Sequence, residues 1–180
     1  MALETAIEPF RKGIIPDSTR FAAHIAFYTG CVLRYWATPS PMTGAPIMMA
    51  LAGKDDYTPP QPCIDYANTM KAAGRDVDVH VYEGAYHDFD STVRYFKFWT
   101  NSQTNRNCPS SQINPVTFSE YRILETGQSF NNYQDFARAI DYAKCGTRGV
   151  STGSDFSAAK KAEGDVRRFL ASAFCLENQR

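Results

Sequence analysis

The chain alternates between short apolar runs and polar breaks carrying glycine or proline, and the period of the runs changes along it. Phe21-Ala22-Ala23-His24-Ile25-Ala26-Phe27-Tyr28 is aromatic and aliphatic and stops at Gly30, which predicts a buried strand. Residues 45–51 predict a second strand, with Pro46 tolerated near its start. The intervening residues 33–44 are broken by proline and glycine and predict a loop. Over 62–74 the period lengthens. Cys63, Ala67 and Met70 share one face, proline is preorganised for a first turn, and Gly74 is a natural stop, so a helix is expected. Val77, Val79 and Val81 then alternate with Asp78, His80 and Tyr82, the pattern of a strand with one face wet, near a sheet edge. Strand, helix and strand in this order imply a parallel pair with a right-handed crossover.

Downstream the pattern weakens. Residues 101–114 are polar, rich in Asn, Ser and Gln, and predict a surface loop or insertion. Residues 130–144 predict a further helix. After the capping residues Ser154 and Asp155, the side chains of Ala162, Val166, Phe169, Leu170 and Ala173 fall on one face of a long terminal helix that packs on a sheet. There are no internal repeats. Three strands are few for a doubly wound sheet, because its apolar faces would stay uncovered. The expectation is one α/β domain over 1–180, a parallel sheet with flanking helices, that is the C-terminal part of a larger fold.

Composition narrows the partners. The chain is 43% hydrophobic and 21% charged, with 19 basic and 19 acidic residues and no net charge. No basic run favours nucleic acid or an anionic membrane surface. No apolar stretch approaches the ~18–20 residues of a transmembrane helix, and the acidic N-terminal segment lacks the apolar core of a secretory signal. The five cysteines form no C-x-x-C pair and the three histidines no ligand spacing, so no metal is expected. Buried thiols are favoured over disulfides. Cys108 and Cys145, in polar surroundings, are the best disulfide candidates, and the odd count leaves one cysteine unpaired.

The chemistry concentrates between Ala45 and Asp90. An apolar run ends in Gly53-Lys54-Asp55-Asp56-Tyr57-Thr58-Pro59, and the alternating strand ends in Gly84-Ala85-Tyr86-His87-Asp88-Phe89-Asp90. Alone, Asp55 is a turn former and His87 a loop histidine. Together they are an acid after one strand and a histidine after the next. Neighbouring strands lie ~4.8 Å apart, so such loops can meet, and functional groups gather at the carboxyl ends of parallel strands. A carboxylate on one imidazole nitrogen holds the tautomer that frees the other as a base. Asp55 and His87 are therefore the candidate acid and base of a nucleophile–histidine–acid triad, in the chain order of an α/β-hydrolase.

Other candidates are weaker. Gly149-Val150-Ser151-Thr152-Gly153 spells G-x-S-x-G, but the preceding residues do not predict a buried strand and the motif follows the acid and histidine; a glycine loop before the last helix is expected. Cys31 lacks elbow glycines and is expected as a buried structural thiol. His24 and His80 are expected to be structural. Tyr95, Phe96, Phe98 and Trp99 are expected in the core rather than along a substrate pocket.

Residues 46–90 resemble the C-terminal half of the dienelactone hydrolase family of α/β-hydrolases. The matching pieces are Phe27-Tyr28-Thr29-Gly30-Cys31, residues 53–59, Ala72-Ala73-Gly74, and residues 81–90; the terminal helix over 158–174 fits as well. The resemblance covers about half the chain closely. It implies ester or lactone hydrolysis through a Cys or Ser nucleophile, with no cofactor, the acid on Asp55 and the base on His87. In the family the nucleophile elbow precedes the strand that corresponds to 21–28, and residues 1–20 hold no G-x-S-x-G or G-x-C-x-G. The elbow, the oxyanion loop and the N-terminal strands are thus expected upstream of this chain. The alternative is a non-catalytic, truncated or degenerate hydrolase fold that serves binding. Either way an uncovered sheet edge predicts self-association.

Overall fold

The computed structural model describes residues 2–37 and 41–176. Two short helices, α1 (Ala2–Thr5) and α2 (Glu8–Ile14), precede β1 (His24–Phe27) and β2 (Leu33–Tyr35). Then come β3 (Ile47–Ala52), α3 (Pro60–Ala72) and β4 (Val77–Tyr82). The second half adds β5 (Phe96–Thr104), β6 (Ser111–Ile113), β7 (Tyr121–Ile123), β8 (Ser129–Phe130), α4 (Tyr133–Ile140), α5 (Tyr142–Cys145), β9 (Thr147–Gly153) and α6 (Phe156–Ala173).

The chain is a mixed α/β structure built on a small parallel sheet of order β1-β3-β4. Every residue of β3 is buried, because both its faces are covered. The strand period of two sorts its side chains between two cores. Ile47, Met49 and Leu51 meet Cys63, Tyr66, Ala67 and Met70 of α3. Met48, Ala50 and Ala52 meet Phe89 and Ala162, with Ala158, Val166 and Phe169 of α6 beside them. Each of the larger ones among them, the Ile, Leu, Met and Phe side chains, contributes ~1.5–3 kcal/mol by leaving water. The face expected for the first helix is the buried face of α3, and Gly74 follows the helix with φ +76°, a backbone state only glycine adopts without strain. β4 borders the sheet, in keeping with its alternating pattern. Asp155 caps α6, accepting from the Ser157 and Ala158 amides.

Two further sheets lie outside this frame. β2-β6-β7-β8 forms one, with β2 parallel to β6 and the rest antiparallel. Its own core joins Tyr121 and Ile123 to Phe136 and Ile140 of α4, with Tyr121 stacked on Phe136 at 4.8 Å. β5 and β9 pair antiparallel, and their register shifts between Trp99 and Gln103.

These elements correct several expectations. The loop expected over 33–44 contains β2, too short to show a period, while residues 38–40 of it lie outside the described residues. The stretch 101–114 is not a plain loop, for it holds the end of β5, a turn and β6. The stretch 130–144 carries two short helices, α4 and α5. Residues 149–153, expected as a glycine loop, are the buried end of β9. Phe96 and Phe98, expected in the core, are 63% and 56% exposed on the outer face of β5. Buried thiols are overturned as well. Cys31 is bonded to Cys63 and Cys108 to Cys145, and Cys175 is exposed and free. The pair named from the sequence, Cys108–Cys145, is one of the two. Cys31 was missed because its partner lies on a helix face that also reads as core.

Candidate functional site

The loops that leave β3 and β4 are pressed together at Gly53. A Cβ there would lie 2.6 Å from the Glu83 Cα and 2.7 Å from its carbonyl oxygen, so no larger residue fits without moving backbone. Two hydrogen bonds stitch the loops: the Gly53 amide donates to the Tyr82 carbonyl at 2.9 Å and the Lys54 amide to the Ala85 carbonyl at 2.8 Å. This contact carries Asp55 toward His87.

Asp55 is 5% exposed. Its Oδ1 accepts from the amides of Tyr57 at 2.9 Å and Thr58 at 2.8 Å, a turn that fixes the carboxylate. Its Oδ2 lies 2.8 Å from His87 Nδ1 and accepts from the Thr58 hydroxyl at 3.0 Å. The turn reading of Asp55 and its contact with the histidine are therefore the same geometry. His87 is held on the other side by backbone, its carbonyl accepting from the Gly153 amide at 3.0 Å where it bridges to Thr152. The rings of Tyr28 and Tyr57 flank the imidazole at 4.6 and 4.9 Å. Tyr28 sits just past β1 at φ 33° and its hydroxyl donates to Asp90 at 2.8 Å. Burial, then that hydrogen bond, push its ionisation far above the ordinary tyrosine range, so it stays a donor.

Asp56 points elsewhere. It accepts from the Ser151 amide at 2.6 Å and the Ser151 hydroxyl at 3.1 Å, tying β9 to the loop after β3. Arg106 adds to this latch by donating to the carbonyls of Asp56 and Gly149, both at 2.8 Å. The serine of the G-x-S-x-G sequence thus sits in a strand with its hydroxyl on a carboxylate. Cys31 has no thiol to offer. His24 is buried between the hydroxyls of Thr5 and Thr43, and His80 lies against Asp78 and Asp165.

His87 opens on a cleft of about 390 Å³ walled by Tyr57, Tyr95, Trp99, Ser102, Val150 and Thr152, with Asp88 at its edge. Trp99 Nε1 donates to the Thr152 hydroxyl at 2.9 Å, and the Tyr95 hydroxyl donates to Asp88. The polar tips are satisfied within the wall, leaving ring surface toward the cavity. Tyr95 and Trp99, expected in the core, line this cleft instead. Sequence reasoning also missed Thr58. Its signal was the spacing Asp55-x-x-Thr58, which closes a turn on the carboxylate. Among the described residues no cluster of His, Cys, Asp or Glu is arranged to hold a metal ion, and no helix is long and apolar enough to cross a membrane.

The model of the dienelactone hydrolase family matches residues 14–108, more than half of the chain. The chain belongs to the dienelactone hydrolase family. The match spans β1, α3, β4 and the loops bearing Asp55 and His87, and it ends beyond β5. No match is found among curated proteins or solved structures. Membership implies an α/β-hydrolase-type esterase or lactonase, with ester or lactone bonds as the family's substrates.

Proposed function

We propose that this chain carries the acid and base of an ester- or lactone-cleaving triad, with Asp55 orienting His87, and that the nucleophile comes from polypeptide outside these 180 residues. One observation carries the reading: a buried carboxylate and an imidazole at 2.8 Å, on the loops that follow neighbouring parallel strands. Asp55 would hold the proton on Nδ1, leaving Nε2 as the base. A Ser or Cys gives its proton to Nε2 as it attacks the ester carbonyl. His87 then returns that proton to the departing alkoxide, leaving an acyl-enzyme. Water, deprotonated by the same nitrogen, releases the acid and restores the nucleophile.

The two nucleophiles weighed from the sequence, Ser151 and Cys31, are both engaged. Ser151 is bound to Asp56, and Cys31, Cys63, Cys108 and Cys145 are in disulfides. β1 forms one border of the parallel sheet, with β3 as its strand partner there, and the nucleophile-bearing strand of this reading would pair along that border. The same border would serve the second reading, a hydrolase-like fold that serves association.

An activated aryl ester separates the two. The purified chain alone is expected to hydrolyse it no faster than buffer, since loss of a triad nucleophile costs on the order of 10⁶ in turnover. A fusion to the N-terminal half of an active family member is expected to restore hydrolysis that His87→Ala and Asp55→Asn abolish. Hydrolysis by the chain alone, lost in His87→Ala, would move the nucleophile inside it. A folded fusion without activity would favour the association reading.

A further inference from the structure

We propose that Thr58 is a positioning residue for the Asp55–His87 pair, and that its hydroxyl, together with the carboxylate, dictates which ring nitrogen carries the proton. The proposal rests on the pairing described above and adds to it a group that the triad pattern does not contain.

The Thr58 hydroxyl stands where the three carboxyl-end loops of the parallel sheet converge. Its Oγ1 is 2.8 Å from the Tyr28 carbonyl oxygen after β1, 3.0 Å from Asp55 Oδ2 after β3, and 3.2 Å from His87 Nδ1 after β4. A hydroxyl has one proton and two lone pairs. The Tyr28 carbonyl and the carboxylate accept only, so both compete for that proton and draw it away from the ring. Toward the imidazole Thr58 is left presenting lone pairs. Nδ1 therefore faces two acceptors, Asp55 Oδ2 at 2.8 Å and Thr58 Oγ1. A proton on Nδ1 satisfies both. A proton on Nε2 would set the Nδ1 lone pair against the carboxylate, and Thr58 could relieve this only by abandoning both Tyr28 and Asp55.

Thr58 is itself fixed. Its amide donates to Asp55 Oδ1 at 2.8 Å, so the residue that orients the carboxylate from one side meets it again from the other. Substituting valine keeps the β-branched shape and that amide bond while removing the hydroxyl. Serine keeps the hydroxyl and drops the methyl.

The test reads the tautomer directly. Protein labelled with ¹⁵N and ¹³C in histidine only is observed by NMR at mildly alkaline pH, in solution or, for self-associated material, by magic-angle spinning of the sediment. His87→Gln identifies the His87 signals among those of the three histidines. Wild type and Thr58→Ser are expected to show a protonated Nδ1 with a low-field, slowly exchanging proton. Thr58→Val and Thr58→Ala leave the carboxylate facing Nδ1 but remove its second acceptor, so the low-field proton signal is expected to move upfield and exchange faster than in wild type; alanine serves where valine fails to pack. A folded Thr58→Val or Thr58→Ala that keeps the wild-type Nδ1 signal overturns the role of Thr58 and leaves the acid–base pair intact. Absence of the Nδ1 proton from the wild type as well would instead overturn the pairing of Asp55 with His87. Asp55→Asn, expected to move the proton to Nε2, calibrates both readings.

Discussion

Burial moves the titration of His24 to lower pH. Desolvation lowers its protonation midpoint below the ordinary 6.5, the ring being buried between the Thr5 and Thr43 hydroxyls. In the unfolded chain the ring takes up a proton near pH ~6.5, while the folded protein resists it. The unfolded state therefore binds more protons below that value, and the stability held above it declines as pH falls toward the depressed folded midpoint. Unfolding by urea at a series of pH values from about 7.5 down to about 5 is expected to show this decline. His24→Gln, whose amide can still meet both threonines, is expected to flatten it; an unchanged slope in the variant would assign the acid sensitivity to other groups. The same scale separates two adjacent carboxylates. Asp55 meets the imidazole, whereas Asp56 meets the Ser151 backbone. The choice between them came from the family resemblance, which puts the acid on Asp55, since both residues follow the strand equally closely. The part played by Thr58 was not legible in the sequence, since a threonine in an Asp-Asp-Tyr-Thr-Pro turn reads as turn chemistry until the neighbouring loops are folded beside it.

Among the elements, those that follow one period were readable and those that hold themselves by polar contacts were not. Six buried residues in β3, a helix face of Cys63, Ala67 and Met70, and alternating valines in β4 each carry their partner's imprint. β9 carries none. Val150 is its one large apolar residue, and it buries Ser151 and Thr152 by giving each a hydrogen-bond partner, Asp56 for the first and Trp99 for the second. β5 escaped notice for the opposite reason: its aromatic residues face solvent, which a hydrophobicity pattern reads as core. Asp56→Ala tests the polar account. It leaves the Ser151 amide and hydroxyl without their acceptor, which costs about 1–3 kcal/mol for a buried group. For a chain of this size that is a fall in Tm of roughly 2–4 °C per kcal/mol. Faster amide exchange at Ser151 than in wild type is the accompanying local sign. A variant that melts with wild type would show that β9 is held by its ladder with β5 alone.

The whole molecule presents a parallel sheet with β1 as a border strand, and an outer β5 face with Phe96 and Phe98 exposed. Unpaired edges and uncovered aromatics template pairing with another chain. Sedimentation velocity over a range of concentrations is expected to show self-association of the isolated chain, and a monodisperse monomer with a sharp, reversible melt would overturn this. The two disulfides add a condition of a different kind. They close chain separations of 32 and 37 residues, and in the chain-entropy account each contributes about 4 kcal/mol, against a net stability of ~5–15 kcal/mol for a whole domain. Melting with and without a thiol reductant is expected to show reduction lowering Tm by at least about 10 °C or abolishing the transition; coincident melts would leave the crosslinks without weight. The Cys31–Cys63 bond ties the segment after β1 to α3, on either side of the loop that bears Asp55. Electron supply thus becomes a variable of the fold. On this account a compartment rich in free thiols would leave the polypeptide to proteases and chaperones, and an oxidising one would keep it folded with its histidine in place.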